Sequence, residues 1–126
     1  MVKMLTKEEE KVRDYLISFA RKNEVVPYSK LAEHFGLDTK DKHQAWVKVL
    51  EKWMGDINNY ELENKRPLLS AIIVFKKNPY DLYGTHKSGA GFYYYAREKE
   101  LLKKGEDQEL FHHAEMGRIF RYWKDN

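Results

Sequence analysis

The chain is 126 residues long, carries 23 Lys and Arg against 20 Asp and Glu for a net charge of +3, and contains no cysteine. That length fits one domain, and 42% hydrophobic with 14% aromatic residues supports a buried core rather than a disordered chain. The missing cysteine excludes disulfides, thiolate metal sites and cysteine nucleophiles, no run reaches the roughly 18 apolar residues of a membrane span, and a reducing cytoplasm is the expected location.

Thr6-Lys7-Glu8-Glu9 has the form of a capping box, and Val12, Tyr15, Leu16, Phe19 and Ala20 follow at helical spacing. A first helix is therefore expected, closed by Lys22-Asn23. Val25-Val26-Pro27-Tyr28 reads as an extended link, because proline disfavours helix for the residue before it. Ser29 to Phe35 reads as a short helix with Leu31, Ala32 and Phe35 on one side, stopped by Gly36 in a left-handed conformation. Asp38 or Thr39 is placed to cap what comes next.

The longest helical pattern runs from Lys40 to about Asn64, with Trp46, Val49, Leu50, Trp53, Ile57 and Tyr60 in a stripe and Gly55-Asp56 as a candidate kink. After Pro67, the run Leu68 to Phe75 is short and β-branched in its second half, and reads as a buried strand. Residues 76–91 read as a loop, and Phe92-Tyr93-Tyr94-Tyr95-Ala96 as a returning strand that completes a hairpin. A helix, or a helix pair broken at Gly105, is expected from Arg97 to Lys124, with Met116, Ile119, Phe120 and Trp123 as its apolar face.

The expected fold is thus mainly α with a β-hairpin (α+β): a winged helix-turn-helix-like single domain over residues 1–126 with an added C-terminal helix. In such modules the helix after the turn faces the major groove, and the hairpin touches backbone or minor groove. The groove-facing candidates are Thr39, Lys40, Lys42, His43, Gln44 and Lys48, of which the lysines suit phosphates and His43 and Gln44 suit base edges. Lys76, Lys77, His86 and Lys87 belong to the expected wing. The function expected is a non-enzymatic DNA-binding or regulatory module with duplex DNA as partner. The alternative is a protein-interaction module that presents Tyr80, Tyr83 and the 76–91 loop to another protein. An enzyme assembled from distant residues is a third reading.

Two resemblances add to this. Val25-Val26-Pro27-Tyr28-Ser29-Lys30-Leu31-Ala32 resembles the start of the helix-turn-helix in alkylguanine-DNA alkyltransferases and alkyltransferase-like proteins, which read Val-Val-Ser-Tyr-Gly-x-Leu-Ala. The Pro-Cys-His-Arg motif of alkyl transfer is absent, and Pro67 to Val74 occupies the comparable place, so the resemblance implies a related fold and not repair activity. Arg66 to Val74, Gly89-Ala90-Gly91-Phe92 and the late aromatic-Trp ending are similar to a family of small bacterial and phage proteins. That family reads Pro-Leu-Leu-Ser-Ala-x-Val-Val and then Pro-Gly-x-Gly-Phe, with Ser88 here in place of its second proline. This resemblance supports the domain boundary and carries no activity with it; a phage or mobile-element regulator is the form the expected DNA-binding module takes.

Other chemistry is weak on spacing. In His112-His113-x-Glu115 the adjacent histidines point about 100° apart on a helix, so no metal site is expected and His112 falls on the core side. Ser70 has no nucleophile elbow around it and reads as a small hydrogen-bonded core residue. Gly89-Ala90-Gly91 lacks the following Lys-Ser/Thr of a phosphate loop and reads as a turn. On a strand, Tyr94 would face opposite to Tyr93 and Tyr95, giving one face that could stack bases. No cofactor is expected.

Overall fold

The computed structural model describes residues 4–74 and 90–126. Helix α1, Lys7–Arg21, starts at a complete capping box, in which Glu9 N–H donates to Thr6 Oγ1 at 3.1 Å and Thr6 N–H to Glu9 Oε1 at 3.0 Å. Its apolar face, Val12, Leu16, Ile17 and Ala20, is fully inside. Strand β1, Val26–Pro27, leads into the short helix α2, Tyr28–His34, and helix α3 spans Ala45–Glu63. A 3₁₀ turn at Leu69–Ile72 runs into strand β2, Ile73–Val74. Helices α4, Ala90–Glu98, and α5, Gln108–Lys124, complete the order.

Residues Leu68 to Val74 are the hub. All seven are at most 5% exposed, and the segment is wedged between α1, α3 and α5. A strand is expected over this whole run, but a strand needs at least one paired neighbour, and only Ile73 and Val74 find one, in β1. The backbone therefore tightens into a 3₁₀ turn, with Ala71 N–H bonded to the Leu68 carbonyl at 3.1 Å. Side chains from the flanking helices satisfy what remains, as buried backbone polar groups require. Glu115 of α5 accepts from Leu68 N–H at 2.9 Å, and Asn58 of α3 donates to Ser70 Oγ at 2.8 Å. His112 of α5 places Nε2 2.7 Å from the Ala71 carbonyl, so that nitrogen carries the donated proton. Ser70 and His112 are thus hydrogen-bonded core residues, as their sequence positions suggest.

Only Ile73 and Val74 remain extended, and they pair in parallel with Val26 and Pro27. The sheet is a two-stranded parallel ladder and not a hairpin. The expected second hairpin strand, Phe92 to Ala96, lies in α4. Burial there follows a helical period: Phe92, Tyr93 and Ala96 are inside while Tyr94 is 72% exposed. An aromatic run of strand length carries no helix signal of its own, and its packing decides its conformation. Tyr95 fixes α4 to α3 through a 2.7 Å bond to Asn59 Oδ1, and burial pushes its phenol up to about 12.

Helix α3 also differs from expectation. It begins at Ala45 instead of Lys40 and passes Gly55-Asp56 without a break. Over Arg97 to Lys124 the chain takes the broken form of the two expected, since α4 ends at Glu98 and α5 starts from Asp107, whose side chain caps the Glu109 and Leu110 amides. The link between them is anchored by buried Leu102 and turns through Gly105 at φ +91°. The buried residues of all these elements form one cluster, with Tyr15, Phe35, Trp46 and Phe120 packed against it. Among the described residues no helix is long and apolar enough to cross a membrane.

The clasp on the hub makes a direct prediction. Glu115→Ala strands the buried Leu68 N–H, and should lower stability by about 2–3 kcal/mol. Glu115→Gln keeps an acceptor oxygen and should lose less. Urea unfolding reads both as a fall in midpoint at unchanged slope. Equal losses would show that the carboxylate acts through its charge on Arg118 rather than through Leu68.

Candidate nucleic-acid interface

The α2–turn–α3 unit is built by local rules. After Phe35, Gly36 takes φ +78°, Leu37 N–H reaches back to the Ala32 carbonyl at 2.9 Å, and Gly36 N–H reaches the Glu33 carbonyl at 3.1 Å. This pair of bonds is the Schellman closure that glycine favours. Phe35 then ties the unit together, its ring packed edge-on to Tyr15 of α1 at 5.5 Å and to Trp53 of α3 at 6.0 Å. His34 stacks on Tyr15 at 4.1 Å, and burial pushes the Tyr15 phenol upward.

The segment from Asp38 to Gln44 is an irregular head held by its own side chains. Asp38 Oδ1 accepts from Lys40 N–H at 3.0 Å, and Asp41 Oδ1 from His43 N–H at 3.1 Å. Thr39 is half-buried and donates to Glu33 Oε1 of α2 at 3.0 Å. Lys40, Lys42, His43, Gln44 and Lys48 are exposed. The sequence placed five of the six candidates on the long helix and Thr39 at its cap, but only Lys48 lies on it. The others form the approach to its N-terminus, because two successive aspartate turns absorb the chain before Ala45. Lys76, Lys77, His86 and Lys87, and with them Tyr80 and Tyr83, lie outside the described residues.

The N-terminus of α3 is unusual in one respect. Its N-cap, Gln44, sits at φ 52° and ψ 38°, and no side chain caps the first amides. Three other non-glycine residues among those described have positive φ, namely Asn23, Lys65 and Glu100. Each of them ends a helix with the same paired carbonyl bonds that Gly36 makes. Gln44 alone of the four begins one. Val47 N–H bonds the Gln44 carbonyl at 3.0 Å, and the positive end of the helix dipole has no side-chain cap.

Farther along α3, Lys52 is exposed and bonds Asp56 Oδ2 at 3.1 Å, with Glu9 of α1 3.8 Å away. The Asp56 bond, with the Asp56 and Glu9 charges, holds the Lys52 ammonium above its ordinary range. Lys40, Lys42 and Lys48 form no ion pair among the described residues.

A second charged group escaped the sequence reading. Glu61, fully buried near the end of α3, accepts from Arg13 Nε of α1 and from Arg66 Nε at 2.6 Å. Both guanidinium carbons lie 5.3 Å from the Tyr60 ring centre, and that of Arg13 also lies 5.4 Å from Trp123 of α5. No spacing in the sequence links residues 13, 61 and 123. In the His112-His113-Glu115 run, His112 and Glu115 are committed to the hub, and among the described residues no cluster of three metal-ligating side chains occurs.

Comparison with known protein families, with curated proteins and with solved structures gives no match to this chain.

Gln44 gives the test of this geometry. A left-handed L-residue costs roughly 1–2 kcal/mol, more than the roughly 0.5–1 kcal/mol of extra chain entropy that glycine loses on folding. Gln44→Gly should therefore raise stability, while Gly36→Ala should lower it by about 1 kcal/mol. Thermal unfolding of the pair reads the opposite signs. A Gln44→Gly protein no more stable than the parent would contradict the left-handed N-cap.

Proposed function

We propose that the chain is a helix-turn-helix module that binds duplex DNA and catalyses no reaction. The observation that carries this is the exposed, cationic head of α3. Among the described residues Lys40, Lys42 and Lys48 form no ion pair, and no side chain caps the start of α3. Phosphates suit both the lysine charges and the helix end. His43 and Gln44, exposed between the lysines, are the groups with donors and acceptors for base edges.

The order of elements supports the reading. A strand stands between α1 and α2, a glycine-closed turn joins α2 to the longest helix, and Phe35 fixes their packing. The likeness of Val25 to Ala32 to the alkyltransferase helix-turn-helix agrees with the burial of Val26, Leu31 and Ala32. Alkyl transfer itself has no place here, since the chain has no cysteine.

Because Thr39 to Gln44 lie on irregular backbone, they would meet the duplex as a loop at the helix end and not as the face of an inserted helix. A protein-interaction role is the second reading, favoured by Tyr94 at 72% and Leu110 at 69% exposure on α4 and α5.

Fluorescence anisotropy with a mixed-sequence duplex at about 50 and about 200 mM salt tests the DNA reading. Three phosphate contacts predict an affinity loss of about 40-fold between those conditions. The triple change Lys40→Glu, Lys42→Glu and Lys48→Glu should abolish binding with the melting temperature unchanged, since all three side chains are exposed. Binding that survives this change would place the interface elsewhere. No duplex binding at about 50 mM salt would remove the DNA reading and leave the protein partner.

A further inference from the structure

A second site lies where the start of α1 meets the end of α3. Met4, Leu5, Glu10, Arg13, Asp14 and Tyr60 line a cavity of about 250 Å³ there. We propose that this cavity binds a free α-amino acid in its zwitterionic form, a role independent of the DNA reading.

The argument starts from three charges on one helix. Glu10 and Arg13 stand three residues apart on α1, a spacing at which opposite charges pair, and Asp14 lies on the same face as Glu10 four residues on. Glu10 and Arg13 form no such pair. Arg13 turns inward, donates through Nε to buried Glu61, and lays its guanidinium against Tyr60 and Trp123. Glu10 and Asp14 are exposed and form no ion pair among the described residues. The cavity therefore has one cationic lining residue, Arg13, and two exposed carboxylates, Glu10 and Asp14.

Behind the cavity wall Arg13 shares the buried carboxylate of Glu61 with Arg66, so two guanidinium groups meet one carboxylate there.

A ligand that answers both signs of charge must carry a carboxylate and an ammonium close together. The carboxylate faces Arg13, the ammonium faces Glu10 and Asp14, and Tyr60, Leu5 and Met4 leave an apolar surface for a side chain. A phosphate dianion would meet the two exposed carboxylates, and a simple cation would face Arg13. Drug-sized ligands and nucleotides occupy pockets of roughly 300–1,000 Å³, so this cavity suits a smaller guest.

Calorimetric titration of the full chain with each of the twenty free L-amino acids tests the proposal. The tightest binder is then repeated as its N-acetyl and its amide derivative. The expected result is saturable binding of at least one apolar amino acid, weakened about tenfold or more in each derivative, since each removes one charged contact. The double variant Glu10→Gln, Asp14→Asn changes only exposed side chains and should lose the ligand at an unchanged melting temperature. No saturable binding by any of the twenty would overturn the proposal. So would binding that withstands both N-acetylation and the double variant.

Discussion

A stretch of backbone from Leu68 to Val74, buried among three helices, sets the terms for everything around it. A buried peptide group without a partner costs about as much as a lost hydrogen bond, and seven consecutive residues carry many such groups. The molecule answers in two ways. It coils the first part into a 3₁₀ turn and pairs the last two residues with β1, and it sends Asn58, His112 and Glu115 inward to hold the rest. Those polar side chains fix how α3 and α5 rotate about the hub, since each must reach one particular backbone atom. Apolar packing alone would tolerate slippage by a residue or more.

Glu61 extends the same logic to the other end of α3. A buried carboxylate between two guanidinium groups adds little net stability, because desolvation offsets much of the attraction. Its effect is geometric: Arg13 belongs to α1, Arg66 precedes the hub, and Glu61 belongs to α3, so one carboxylate sets three elements in register. The aromatic rings of Tyr60 and Trp123 cover the guanidinium faces and complete the enclosure. Having turned inward, Arg13 leaves Glu10 and Asp14 without their nearest partner, and this gives the neighbouring cavity its divided charge.

The head of α3 shows the opposite arrangement, an exposed and irregular approach held by short local bonds. Asp38 and Asp41 each bond an amide two residues on, a habit of aspartate that competes with helix. That habit moved the start of α3 from residue 40 to residue 45 and lifted Lys40, Lys42, His43 and Gln44 off the helix. The candidates stay together on one exposed stretch, while their backbone differs from the one the apolar stripe implied.

What the sequence by itself determined are the features whose cause is local. The capping box at Thr6, the apolar face of α1, the glycine closure after α2 and the stripe of α3 depend on residues within a few positions of one another, and each stands where the pattern put it. The core placement of Ser70 and His112 was legible for the same reason. Tertiary structure alone decided the rest. Leu68 to Val74 had strand composition but no strand neighbours over most of its length, and Phe92 to Ala96 became a helix because packing against α3 and α5 favoured a 3.6-residue period. The Arg13–Glu61–Arg66 group joins positions up to 53 residues apart. Such contacts arise from which helix faces meet, and side-chain spacing along a single chain carries no record of that.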